Sequence, residues 1–118
     1  MDNQKMGKEG EDVAARYLSS LGCTILERNY KCRYGEIDII ALDRGILCFV
    51  EVKTRSRTDY GLPCQAVDWK KERHIRRCSY VYIKEHHMEN LDKRIDIVEV
   101  LKRNGRFYIR RIVNGRNG

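Results

Sequence analysis

The sequence predicts an α/β fold in which one mixed sheet is flanked by helices, in the order α-β-β-β-α-β-β. Three observations predict this order. Two segments carry apolar residues at helical spacing. Short apolar runs of strand length lie between and after those segments. Arg44-Gly45 and Asn104-Gly105 each separate two consecutive runs, which indicates two hairpins, and Asn-Gly is the stronger turn signal.

The first half of the chain predicts one helix and three strands. The helix is expected over about Lys5–Leu21, and Gly22 follows it as a stop signal. Its apolar stripe consists of Met6, Val13, Ala14, Tyr17, Leu18 and Leu21. The three strands are "CTILERNY" (23–30), "GEIDIIALD" (35–43) and "ILCFVEVKT" (46–54).

The second half predicts a loop, a helix and a closing hairpin. The loop runs from Arg55 to Pro63, and the helix from about Cys64 to Glu85. The inner stripe of this helix consists of Val67, Ile75, Cys78 and Tyr82. After the loop "HHMENLDK", the strands "RIDIVEVLK" (94–102) and "RFYIRRIV" (106–113) pair around Asn104-Gly105.

Length and composition indicate a single domain over residues 1–118 with an anionic partner. Lys and Arg number 24 against 17 Asp and Glu, a formal charge of +7 that favours nucleic acid and, more weakly, an acidic membrane surface. No run approaches the roughly 20 apolar residues of a membrane span, and the N-terminus lacks an apolar signal region. Five scattered cysteines without a C-x-x-C pair predict reduced thiols in the cytoplasm rather than a zinc site.

Three charged residues interrupt the most hydrophobic stretch: Asp38, Glu51 and Lys53. With a two-residue turn at Arg44-Gly45, counting back along the hairpin places Asp38 directly opposite Glu51. Facing like charges destabilise a sheet, and burial between apolar neighbours increases the cost. A divalent cation would relieve that repulsion, and two carboxylates with room for waters suit Mg²⁺.

This pattern predicts metal-assisted phosphate chemistry. A bound ion would polarise a phosphoryl oxygen and lower the pKa of a bound water. Lys53 would orient that water or stabilise the developing charge. Glu11 borders the apolar stripe of the first helix and is a candidate third carboxylate. The alternatives are that Glu51 and Lys53 form the solvated face of a half-exposed strand, with Glu36 pairing Lys53, and that Glu11 is a first-turn acid favoured by the helix dipole.

A row of cations on the second helix predicts where a phosphate backbone would bind. Lys70, Arg73 and Arg77 point away from the inner stripe, whereas Lys71 lies on it and is expected to reach toward the carboxylates. The loop adds Arg55 and Arg57 just beyond Lys53. The alternative is an ordinary solvated basic helix face.

Several motifs together resemble the YraN-like family of uncharacterised bacterial proteins. They are "GKEGEDVAARYLSSLG", "NY" before the hairpin, "GEIDIIA", "FVEVKTR", "YGLPCQAVDWKK" and "SYVYI". More broadly the chain is similar to the PD-(D/E)XK restriction-endonuclease-like superfamily, and within it to archaeal Holliday-junction resolvases. That resemblance implies an α-β-β-β-α-β core and a Mg²⁺- or Mn²⁺-dependent endonuclease acting on structured or branched DNA as a homodimer.

The resemblance also implies a role for individual residues. Asp38 takes the place of the first acid, and Glu51-Val52-Lys53 that of the E-x-K element, with Glu51 as metal ligand and Lys53 as catalytic lysine. Glu11 takes the place of the helix-1 acid, and Gln65 that of a polar residue at the start of helix 2. Ile37 stands where the superfamily's name has proline. Two other functions fit the sequence: a non-catalytic nucleic-acid-binding module with a nuclease fold, and an interaction protein with a basic surface.

Overall fold

The computed structural model describes residues 3–56 and 69–113, and the predicted order α-β-β-β-α-β-β is confirmed. The elements are α1 Asn3–Ser20, β1 Thr24–Cys32, β2 Gly35–Asp43, β3 Ile46–Ser56, α2 Trp69–Glu85, β4 Asp92–Arg103 and β5 Arg106–Val113. The bounds of β2 and β5 match the prediction, while β1, β3 and β4 extend beyond their predicted C-terminal residues. The predicted start of the second helix, 64–68, lies outside the described residues.

The five strands form one mixed sheet in chain order, β1-β2-β3-β4-β5. Neighbouring strands are antiparallel except β3 and β4, which are parallel and connected through α2. The β2–β3 hairpin has the predicted register, with Asp43 opposite Ile46. Arg44 and Gly45 both adopt left-handed backbone angles, with φ of 53° and 85°, the combination that a tight two-residue hairpin turn requires.

Each face of the sheet is covered by one helix. Ala14, Ala15 and Leu18 of α1 pack on one face against a core that includes Ile39 and Val50. The other face packs against α2 through a second core, whose buried members are Tyr30, Ile37, Ile40, Leu47, Phe49, Ile75, Cys78, Tyr82 and Ile83. The predicted inner stripe of the second helix is therefore confirmed at its three described positions, since Val67 lies outside the described residues.

The end of α1 corrects one predicted core residue. Leu21 is 46% exposed because the helix ends at Ser20. Gly22, with φ of 96°, then reverses the chain. The Cys23 N–H donates to the Leu18 carbonyl, and the Gly22 N–H donates to the Ser19 carbonyl, each at 3.0 Å. These two bonds form a Schellman motif, which buries Cys23 instead of Leu21.

A glycine allows α1 to approach β3 closely near the charged end of that strand. A Cβ atom at Gly10 would lie 2.0 Å from Thr54 Oγ1 and 3.1 Å from Thr54 Cβ. Any larger residue would therefore push the helix away from the strand. The contact fixes the distance between α1 and β3 at the residue that precedes Glu11.

Charged residues at the far end of the α1 face form a buried network. Asp96 is fully buried and accepts hydrogen bonds from Arg94 Nε and Arg111 Nη2, each at 2.9 Å. Both arginines also donate to Asp43 Oδ2 at 3.1 Å. The network joins β2, β4 and β5, so it opposes slippage of their registers.

Neither of the two described helices is long and apolar enough to cross a membrane.

Candidate active site

The α2-facing side of β3 changes from apolar to charged along the strand. Leu47 and Phe49 are fully buried in the α2-side core. Glu51 follows on the same face and is only 7% exposed, and Lys53 comes two residues later. The sequence predicts the candidate acids at the end of a buried strand, and Glu51 lies there in the structure.

Glu51 is held by a cation from α2. The Lys71 Nζ atom lies 2.5 Å from Glu51 Oε2, so the expected inward reach of Lys71 is confirmed. Among the described residues, however, this buried oxygen has no hydrogen bond of acceptable geometry. We regard the contact as an ion pair, because attraction between opposite charges at this distance does not depend on the bond angle. The ion pair therefore leaves Glu51 Oε2 with lone pairs that could still coordinate a cation.

Asp38 reaches the neighbouring strand with its side chain. The β2–β3 pairing extends from the turn to Ile39 and Val50. At the next position, Asp38 Oδ2 accepts a hydrogen bond of 2.8 Å from the Val52 N–H. Burial raises the pKa of Asp38 to about 6, and the Glu11 and Glu51 carboxylates contribute in the same direction. Asp38 therefore lies close enough to Glu11 and to Glu51 to be repelled by each.

Glu11 approaches this pair from α1. Its pKa is raised mainly by burial, and Glu36 adds to the effect, whereas Arg28 at 3.9 Å lowers it. The alternative of a first-turn acid is wrong, because α1 begins at Asn3 and Glu11 lies two turns further along. Glu11 therefore lies near Asp38, but among the described residues it does not join Asp38 and Glu51 in a group close enough to hold a metal.

Asn29 is a further residue of the site that the sequence did not reveal. With its amide oriented to suit its neighbours, the Asn29 nitrogen donates to Glu11 Oε1 and Glu36 Oε2, each at 3.1 Å. Its backbone is left-handed, with φ of 55°, a conformation that asparagine tolerates better than most residues. An asparagine near the end of a predicted strand is the signal that could have drawn attention to it.

Glu99 is a second residue that sequence reasoning missed. It is buried on β4 and lies opposite Lys53 in the parallel register. Arg55 Nε donates to Glu99 Oε2 at 3.2 Å, and Arg110 Nε donates to Glu99 Oε1 at 2.8 Å. Glu99 stands in the tripeptide Val-Glu-Val, as Glu51 does, and that repetition was an available signal. Arg55, expected to contact nucleic acid, is thus engaged within the protein.

The predicted basic row on α2 is exposed. Lys70, Arg73 and Arg77 all lie at the surface, and the Arg77 guanidinium is 5.7 Å from the centroid of the Tyr34 ring. Arg57 and Gln65, the other predicted nucleic-acid contacts, lie outside the described residues. Lys70, Arg73 and Arg77 are therefore exposed cations on α2, whereas Lys71 contacts Glu51.

The chemistry of these residues fits a hard divalent cation held by two protein ligands. Within residues 3–56 and 69–113, no three His, Cys, Asp or Glu side chains are grouped closely enough to hold a metal. Mg²⁺ commonly uses only one or two carboxylates and keeps several waters. Asp38 and Glu51 supply oxygen donors of that kind, and the incompletely bonded Glu51 Oε2 is available to such an ion.

Comparison with known proteins identifies one family. A family model described as "Uncharacterised protein family UPF0102" matches residues 10–100, a range that includes Glu11, Asp38, Glu51 and Lys53. A UPF0102 protein of Dictyoglomus turgidum is 44% identical over 101 residues, covering 86% of each chain. A UPF0102 protein of Caldanaerobacter subterraneus is 45% identical over 100 residues, covering 85% of this chain and 82% of the relative. A third UPF0102 protein, of Syntrophus aciditrophicus, is 46% identical over 98 residues, covering 83% of this chain and 77% of the relative.

Proposed function

Because the chain belongs to the uncharacterised protein family UPF0102, whose description assigns no activity, we propose its function from the site. We propose a Mg²⁺- or Mn²⁺-dependent endonuclease that hydrolyses phosphodiester bonds in structured or branched DNA. The expected YraN-like membership is confirmed, whereas the nuclease activity is our proposal. It is carried by one observation, the convergence of Asp38 and Glu51 at the charged end of a buried strand, with Lys53 next on the same face.

The proposal gives each residue a role. Asp38 and Glu51 would hold the cation, and Glu11 would add negative potential beside them. When bound, the ion supplies Lewis-acid polarisation of a phosphoryl oxygen and lowers the pKa of a water. Lys53 would orient the attacking water or stabilise the charge that develops on the phosphate.

Lys71 would act as a movable cation in this scheme. It neutralises Glu51 in the metal-free protein, yet its side chain is 55% exposed and has room to move away. We propose that it leaves Glu51 when a divalent ion arrives and then faces the phosphate. Lys71 also lowers the pKa of Asp38, so a divalent ion would replace its charge at both carboxylates.

Charge supports the proposed partner class. The formal charge of +7 and the outer row of Lys70, Arg73 and Arg77 on α2 suit a phosphate backbone. The proposal includes action in the cytoplasm as a single nuclease-like domain, and a homodimer, since resolving a junction requires two cuts.

A cleavage assay tests the proposal. Labelled four-way junction, hairpin and linear DNA are incubated with purified protein and either Mg²⁺, Mn²⁺ or a chelator. We expect metal-dependent cleavage of the structured substrates, and its loss in Asp38→Asn and Glu51→Gln. The exposed Asp92 on β4 provides a matched control, since Asp92→Asn should cleave like wild type. Equal cleavage by Asp38→Asn would show that the activity belongs to another site or a contaminant.

A non-catalytic nucleic-acid-binding module is the second candidate. It is favoured by the Lys71–Glu51 ion pair, which satisfies part of the site without a metal. This candidate predicts DNA binding without cleavage under every metal condition, and binding that does not change in Asp38→Asn.

DNA binding itself should depend on salt through the outer row of α2. The triple replacement of Lys70, Arg73 and Arg77 by Ala should weaken binding and reduce the slope of log K against log salt by roughly 0.9 per lost phosphate contact. Fluorescence anisotropy over a salt series measures the slope. The control removes the same charge from three exposed positions elsewhere: Lys8, Lys31 and Arg106. Equal slopes for the two triple variants would show that the α2 row is only a solvated face.

A further inference from the structure

Two thiols from distant parts of the chain meet on the α2 side of the sheet. Cys32 ends β1, and Cys78 lies in the middle of α2, 46 residues later. Their Sγ atoms are 2.7 Å apart, and both are free thiols. A disulfide bond is about 2.05 Å long, so the two sulfurs need only a small movement to bond.

The two thiols have unequal surroundings. Cys78 is fully buried, whereas Cys32 is only partly buried. The Tyr34 N–H donates to Cys32 Sγ at 3.3 Å, so this sulfur has an adjacent donor when it carries negative charge. Burial and the neighbouring Cys32 raise the pKa of Cys78 to about 12. Cys32 is therefore the sulfur that an external reagent would meet first.

We propose that Cys32 and Cys78 are a redox-active pair that closes to a reversible disulfide when a small-molecule disulfide oxidises the protein. The bond would fasten α2 to β1, an edge strand of the sheet. Reversible pairs of this kind are the form in which disulfides commonly occur in reducing compartments. The inference stands on the two thiols alone and does not depend on the proposed nuclease activity.

The chemistry balances with oxidised glutathione as the oxidant. The Cys32 thiolate attacks one sulfur of the reagent, forms a mixed disulfide and releases one glutathione thiolate, which takes up a proton. Cys78 then loses its proton and attacks the Cys32 sulfur, releasing the second glutathione. Two protein thiols are oxidised to one disulfide, and one glutathione disulfide is reduced to two thiols.

Other described cysteines are placed differently. Cys48 is 1% exposed, and its sulfur accepts a hydrogen bond from Arg94 Nη2 at 3.2 Å. Burial raises the pKa of Cys48 to about 11 and also raises that of Cys23. Both are packed in the α1-side core, on the face of the sheet opposite the pair. Among the four cysteines in the described part of the chain, oxidation should therefore select Cys32 and Cys78.

The test oxidises the folded full-length protein with excess oxidised glutathione and counts the remaining thiols. We expect the count to fall from five to three, and proteolysis to yield one linked peptide pair containing Cys32 and Cys78. The Tm should rise by roughly 5–15 °C, because the bond closes a long loop. Dithiothreitol should restore both the thiol count and the Tm.

Variants separate this pair from general thiol oxidation. Cys32→Ser and Cys78→Ser should each abolish the linked peptide and the rise in Tm, whereas Cys23→Ser, a buried thiol elsewhere, should retain both. A stable glutathione adduct on Cys32, a linked pair involving another cysteine, or no loss of thiols would each overturn the proposal. If a serine variant fails to fold, the peptide map of the oxidised wild type still decides the matter.

Discussion

Replacing Asp96 by asparagine should lower the free energy of unfolding by about 3–5 kcal/mol, the range for breaking a buried ion pair. Asp96 is fully buried and accepts hydrogen bonds from both Arg94 and Arg111. The side chains of these arginines are only 15% and 14% exposed. In the variant the two guanidinium groups would share a single carboxylate, that of Asp43. The loss arises from uncompensated buried charge and not from a change in shape, since asparagine is nearly isosteric with aspartate.

Urea denaturation at neutral pH measures this loss, because urea is uncharged and leaves the electrostatic interactions intact. Asp92→Asn is the matched control, as Asp92 begins the same strand but is exposed. It should change the free energy of unfolding by less than about 0.5 kcal/mol. A loss below about 1 kcal/mol for Asp96→Asn would show that water reaches the two arginines and replaces the missing charge.

Asp38→Asn should act in the opposite direction and stabilise the metal-free protein at pH 7.5. The pKa of Asp38 is raised from 3.8 to about 6 in the folded protein. The folded state then binds the proton more tightly than the unfolded state, so the contribution of Asp38 to stability is fully present below about pH 4 and is lost as the pH rises toward 6 or 7. Asparagine does not titrate, so Asp38→Asn should raise the free energy of unfolding by on the order of 2 kcal/mol above that pH range. This value already allows for the partial exposure of the side chain.

Thermal melts at pH 4 and pH 7.5 check the sign of this effect. The advantage of Asp38→Asn over wild type should be present at the higher pH and nearly absent at the lower one. A variant less stable than wild type at both values would indicate that the Val52 hydrogen bond to Asp38 outweighs the carboxylate repulsion.

The same melts with Mg²⁺ or Mn²⁺ bear on the proposed metal site. A ligand that binds only the folded state raises the Tm by mass action, so wild type should gain and Asp38→Asn should lose most of that gain. Lys53→Ala should keep the metal response while any cleavage falls. Equal gains in wild type and Asp38→Asn would place the ion elsewhere and would favour the non-catalytic binding module.

Sequence reasoning succeeded where a pattern is local. The turn at Arg44-Gly45 correctly predicted the pairing of Asp43 with Ile46, and helical periodicity correctly placed Lys71 on the inner side of α2. It failed where the partner comes from elsewhere in the fold. The predicted contact of Arg55 with nucleic acid stays a prediction, but its ion pair with Glu99 of β4 was not foreseen.

Two other differences have the same cause. Helical periodicity predicts Leu21 in the core because periodicity does not reveal the cap that ends α1 at Ser20. The alternation of apolar residues along β1 does not predict the bridging position of Asn29, because that position depends on where α1 lies against β1 and β2.

The parallel pairing of β3 with β4 has a consequence for the path of folding. It joins Ile46 to Asp92 across the whole α2 connection, whereas the β1–β2–β3 segments meet through short turns. Contacts between residues close in sequence form faster, because less chain entropy is lost in closing the loop. We therefore expect Asp38 and Glu51 to meet early, in the β1–β2–β3 meander, and Lys71 to reach Glu51 only when α2 docks. During synthesis, the two acids would then face each other for an interval without Lys71.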